Sequence, residues 1–170
     1  RNRPDSAQRE AGCLIAAAGN GVRTSLGLFT LPMTGDLGIS RESWGLAMAI
    51  QNLVWGFAQP IAGAVADRYG TARVVAFGLL LYAAGLVAMA FSPNAVILDL
   101  TAGVLMGVGI AVSSFSIVMI AFGRSVPQNQ RPLIFGVATA ASSFGQFIFA
   151  PIGQGFITAF GWQSALTYLA

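Results

Sequence analysis

Histidine and lysine are absent from this chain of 170 residues, cysteine occurs once, and only 9% of the residues are charged. A soluble domain usually carries about 25% charged residues. Without His there is no His-based catalytic triad and no His-ligated metal site. A lone Cys13 closes no disulfide within the chain, so zinc fingers and Cys-rich secreted scaffolds are excluded as well. The nine basic residues are all Arg and give a net charge of +3, but they are spread thinly through apolar sequence. They make no basic face, and no nucleic-acid partner is expected. A phosphate-binding P-loop is also lacking, and the sequence implies no cofactor and no metal. What is present is a 55% hydrophobic composition arranged in long runs, which reads as an integral membrane protein.

A bilayer core about 30 Å thick takes roughly 20 apolar residues per spanning helix. Such runs occupy residues 11–33, 44–66, 74–91, 96–122 and 133–160, and a further run starts at Trp162 and stops at Ala170. The expected architecture is all-α: a short tail over residues 1–10, five complete transmembrane helices and the start of a sixth over residues 11–170. Polar connections separate the runs, among them a Ser92-Pro93-Asn94 turn and the Gly161 position. Arg1, Arg3, Arg9, Arg68, Arg73, Arg124 and Arg131 fall in the tail and the even-numbered connections, whereas Arg41 alone falls in the odd-numbered ones. This asymmetry predicts a cytoplasmic N-terminus, in an inner or plasma membrane.

After the second run the chain reads Gly63-Ala-Val-Ala-Asp67-Arg68-Tyr-Gly70-Thr-Ala-Arg73. Gly63 is expected to allow close helix approach, Asp67 to face a helix N-terminus, and Gly70 to permit a tight reversal. The stretch resembles the loop motif between helices two and three of the major facilitator superfamily. It departs from that motif at Ala72, where a basic residue is usual. The resemblance implies the N-terminal six-helix half of that fold within a longer twelve-helix chain, whose C-terminal half is missing here. It also implies that Gly63, Asp67, Arg68, Gly70 and Arg73 form a cytoplasmic gating loop that latches the halves together, with Arg124 as a charge partner for Asp67. A second stretch starts at Arg131 and runs through Leu133, Gly136, Ala138 and Ala140 to Gly145. It is similar to the helix-five signature of monocarboxylate transporters, with departures at Ile134 and Ala141. The acidic helix-one signature of the animal members is missing, so the likeness is nearer to bacterial oxalate/formate antiporter and monocarboxylate transporter-like proteins.

Arg23 stands near the middle of the first run, where a charge costs about 2.5 to 3.5 kcal/mol on insertion scales and should face a wet cavity or a partner. Asn20, Arg23, Gly27 and Thr30 share one helical face, and Gly27 leaves space beside the guanidinium. The five runs offer no acid at that depth. The partner of Arg23 is then the missing half, backbone carbonyls, water or an anionic substrate, and its planar fork suits a carboxylate. Asn52, Trp55 and Gln59 share a face of the second run, Ser113 to Ser116 with Phe115 lie in the fourth, and Thr139, Ser142, Ser143 and Gln146 lie in the fifth. Packing hydrogen bonds explain such residues one at a time; together they suggest a shared cavity. The expected substrate site is therefore Arg23, Asn20, Asn52, Phe115, Ser142, Ser143 and Gln146.

These features point to a secondary transporter, not an enzyme, moving a small organic anion such as a mono- or dicarboxylate by alternating access. Its partners would be that anion, the lipid bilayer, the other half of the chain, and a coupling proton or a counter-anion. Two alternatives use the same residues: a facilitator for a neutral metabolite or drug, with Arg23 structural, and a non-transporting receptor or assembly protein.

Overall fold

A computed structural model describes residues 6–114, 116, 117, 119 and 127–170. Among these residues every regular element is helical. In chain order they are α1 (Ser6–Ser25), a 3-10 turn (Leu26–Phe29), α2 (Thr30–Leu37), α3 (Arg41–Tyr69), α4 (Thr71–Ala90), α5 (Ala95–Leu98), a π-helical segment (Asp99–Leu105), α6 (Met106–Val112), a 3-10 turn (Gln128–Gln130) and α7 (Arg131–Leu169). The segments Thr71–Ala90, Ala95–Val112 and Gln128–Leu169 are long and apolar enough to cross a membrane. Helix α3 has 29 residues, about 43 Å of helix, with Gln51, Asn52 and Gln59 along it.

The boundaries follow local chemistry. Ser40 caps α3 by accepting from the Ser43 amide at 3.1 Å, and Asn94 caps α5 by accepting from the Ile97 amide at 3.0 Å. Gly161, at φ 78° and ψ 164°, interrupts α7. The expected connection over Asp67 to Arg73 contracts to Gly70 alone, because α3 continues to Tyr69 and α4 resumes at Thr71. Gly70 has φ 92° and ψ 133°, its amide donates to the Ala66 carbonyl and its carbonyl accepts from the Val74 amide. A residue with a Cβ rarely adopts that backbone, so glycine makes the sharp reversal.

Two expected helices are not uniform. The run at 11–33 belongs to a longer segment, from Ser6 to Leu37, with the 3-10 turn inside it. Pro32 supplies no amide to the ladder and crowds the carbonyl four residues before it, at Leu28, within that turn. The hydroxyls of Thr24 and Ser25 also bond back to the carbonyls of Asn20 and Gly21. The run at 96–122 contains the π-helical segment and leaves regular helix at Ser113, whose hydroxyl bonds back to Gly109 at 2.7 Å. Residues 120–126 of that run and its connection lie outside the described residues.

The bundle closes through glycines. A Cβ on Gly145 would fall on the Ala17 backbone, and one on Gly21 would lie 2.6 Å from the Phe149 ring, so α1 and α7 cross at near backbone contact. A Cβ on Gly109 would lie 2.7 Å from the Tyr82 amide nitrogen, which brings α4 and α6 equally close. Small residues permit this kind of packing between membrane helices. Gly63 does not behave as expected, since a Cβ there would meet nothing within 4 Å. The packed face of α3 at that level is instead the one carrying Ala62 and Ala66, which are buried against Val74 and Val75. The main core gathers Phe29, Met33, Trp44, Leu86, Met106 and Leu166. A stripe of Leu53, Phe57, Ile61, Val65 and Tyr69 on α3 remains exposed, as do Leu133, Val137, Phe144 and Phe147 on α7.

Candidate functional site

The polar residues of the three longest segments meet along α1. Asn20 donates from Nδ2 to Ser142 Oγ of α7 at 2.7 Å. One turn further, Arg23 donates from Nη2 to Asn52 Oδ1 of α3 at 2.6 Å. The Asn52 amide is oriented by its own helix, because its Nδ2 donates to the Met48 carbonyl at 2.7 Å and leaves Oδ1 turned towards the guanidinium. Trp55, one turn along α3, covers a face of that guanidinium with its ring centroid 4.4 Å from Cζ. Arg23 is thus held on one edge by a neutral amide and on one face by an indole.

This geometry brings together Asn20 with Ser142 and Arg23 with Asn52, four of the expected substrate residues. Gln146 lies on the same side of α7 as Ser142, one turn away, and both it and Ser143 are exposed. Phe115 and Arg124 lie outside the described residues. Gly27 is open, with nothing within 4 Å of a Cβ. Its facing is set by the 3-10 turn and not by α1, so the expected common face with Asn20 and Arg23 ends at Ser25. In the loop motif, Arg68 reaches over the ring of Tyr69, 5.6 Å from its centroid, and Arg73 is exposed.

Two residues of the site region, Tyr82 and Gln51, give no sequence signal that separates them from packing, whereas Trp55 shares the polar face of the second run with Asn52. Tyr82 of α4 is buried, and its hydroxyl has no hydrogen-bond partner among the described residues. The Trp55 indole nitrogen is buried and unpartnered in the same way. Gln51, fully turned inward beside Asn52, donates to the Ala102 carbonyl at 2.8 Å. That bond reaches the π-helical segment, whose widened turn disturbs the ordinary carbonyl pairing. At another point Trp162 donates to Asp36 Oδ2 at 2.5 Å, tying the end of α2 to the residue after Gly161.

The chain is similar in sequence to proteins named as transporters. Residues 12–170 match the model of the Major Facilitator Superfamily. Monocarboxylate transporter 3 of Gallus gallus is 31% identical over 127 residues, covering 75% of this chain and 23% of that protein. Monocarboxylate transporter 13 of Rattus norvegicus is 29% identical over 150 residues, 86% of this chain and 34% of its own length. The uncharacterized MFS-type transporter YcxA of Bacillus subtilis is 26% identical over 156 residues, 92% of this chain and 38% of its own. The chain therefore spans well under half the length of these relatives. With the family model matched across nearly all of it, and with helices apolar enough to span a bilayer, the chain belongs to the major facilitator superfamily of integral membrane transporters.

Proposed function

We propose that this chain forms the N-terminal part of a secondary active transporter for a small organic anion, a mono- or dicarboxylate, working by alternating access. The observation that carries the reading is the setting of Arg23. Its partners among the described residues are the neutral Asn52 and Trp55, so its charge is oriented without being neutralised. A carboxylate arriving at the remaining edge of the fork would form charge-assisted hydrogen bonds in a low-dielectric site. Asn20, Ser142, Ser143 and Gln146 offer neutral donors along the same seam, and Phe115 is proposed as an apolar neighbour. The similarity to proteins named monocarboxylate transporters supports the same substrate class.

In this reading the N-terminus and the Gly63 to Arg73 motif are cytoplasmic, the chain contributes five helices and the start of a sixth, and a second half completes the cavity. Asp67, Arg68 and Arg73 act in the gating loop with Arg124. A proton or a counter-anion serves as the coupling species. A second reading, a facilitator of a neutral metabolite with a structural Arg23, is favoured by the bonds Arg23 already makes to α3. Uptake of radiolabelled small carboxylates into proteoliposomes bearing the full-length protein separates the two. Saturable uptake that Arg23→Gln lowers at least tenfold in kcat/KM supports the anion reading, and undiminished uptake by that variant contradicts it.

A further inference from the structure

Helices α3, α4 and α6 enclose a groove of about 370 Å³ beside the Gly70 reversal. Its walls are Ile61 and Val65 of α3 and Phe77 of α4, and Val108 and Val112 of α6 form its floor. Ile61, Val65 and Phe77 are exposed in this chain, so its own helices leave the groove open on that side. Along α3 it extends from Ala58 to Tyr69, about 16 Å of helix. That is close to half of a hydrocarbon core roughly 30 Å thick, the depth of one leaflet.

The polar character of the groove is concentrated at one end. Arg73 is its charged lining residue, and Tyr69, an aromatic of the kind enriched at membrane interfaces, lines it as well. Asp67, in the last turn of α3, does not line the groove. An apolar trench one leaflet deep with a single cation at its mouth is complementary to an amphiphile with one long chain and an anionic head. A phosphodiester carries by construction the negative charge that Arg73 would pair with, at the head of the chains that the apolar trench would hold. Lipid recognition by basic residues at the membrane surface follows the same electrostatics.

We propose that this groove holds one acyl chain of an anionic phospholipid whose phosphate pairs with Arg73. The site is separate from the Arg23 seam, so it stands whether or not that seam binds a carboxylate, but it shares Arg73 with the proposed gating loop, and the phosphate would compete there with any partner from the other half.

The test uses the full-length protein. Native mass spectrometry would compare phosphatidylglycerol with phosphatidylcholine bearing identical acyl chains, and a photo-reactive residue at position 61 would report what lies in the groove in a native membrane. The expected result is roughly fivefold stronger retention of phosphatidylglycerol, the scale of one basic residue at an anionic surface. Arg73→Gln should abolish that preference while leaving some retention of both lipids. Val65→Trp, which fills the groove from its exposed wall, should lower retention of both without a change in melting temperature. Cross-linking from position 61 should yield a lipid adduct. Equal retention of the two lipids, a preference that survives Arg73→Gln, or cross-links only to another segment of the polypeptide would each overturn the proposal.

Discussion

The crossing of α1 and α7 makes a quantitative prediction at Gly145. An added Cβ would fall on the Ala17 carbonyl oxygen and lie 2.7 Å from the Ala17 Cα. Carbon pairs settle at about 3.5 to 4.0 Å, so the helices must separate by roughly 1 Å. A gap of that size forfeits a quarter to a half of each contact along the seam. Both obstructing groups belong to the backbone, so no side chain can swing aside to absorb the change. Overpacking of this kind costs about 1–3 kcal/mol, and the gain in helix propensity from glycine to alanine, up to about 1 kcal/mol, offsets part of it. Gly145→Ala should therefore lose on the order of 1–2 kcal/mol. Gly21→Ala should lose less, because the first obstacle is the Phe149 ring, at 2.6 Å, which can turn. The assay is thermal unfolding of the full-length protein in detergent, with Gly45→Ala as the control because its Cβ would meet nothing within 4 Å. A Gly145 variant as stable as the Gly45 control would refute the crossing geometry.

Three further substitutions probe the same frame. Gln51→Leu removes the donor to the buried Ala102 carbonyl and should destabilise by about 1–3 kcal/mol, read in the same unfolding assay. Gly70→Ala places a Cβ at φ 92° and should cost about 1–3 kcal/mol; an unchanged melting temperature would show that the reversal takes another form. Trp162→Phe keeps the buried ring but loses the bond to Asp36, and because Asp36 is exposed and can take water instead, the loss should be only about 1 kcal/mol.

Much of this architecture was legible in the residues. Hydropathy marked the apolar runs that became helix, the Ser92-Pro93-Asn94 sequence marked a turn, and Gly70 marked a reversal, whereas the capping roles of Ser40 and Asn94 came only from the structure. The polar side chains at Asn20, Arg23, Asn52 and Ser142 are costly in an apolar helix unless they find partners, and they find one another. What periodicity cannot supply is the partner of a given face. Gly63 and Gly145 look alike in sequence, yet one is open and the other touches the Ala17 backbone. Tyr82 reads as an ordinary aromatic in an apolar run, and only the packing of α4 shows that its hydroxyl is buried without a partner among the described residues. The π-helical segment over Asp99–Leu105 has no local signature either. Its Ala102 carbonyl is bonded by Gln51, which lies 51 positions earlier in the chain. The compression of the Asp67 to Arg73 connection into Gly70 follows from α3 and α4 both continuing further than their apolar runs, an extension that hydropathy does not register.

The most direct test of the carboxylate reading is ligand-induced thermal stabilisation of the full-length protein, wild type beside Arg23→Gln. The panel would hold small carboxylates, neutral analogues and organic cations. A ligand at a hundredfold excess over its Kd adds about 2.7 kcal/mol to the state it binds. The account predicts that at least one carboxylate raises the melting temperature of the wild type, that neutral analogues and cations do not, and that the Arg23→Gln protein loses the response. Equal stabilisation of both proteins by the same carboxylate would contradict it and move charge recognition away from Arg23.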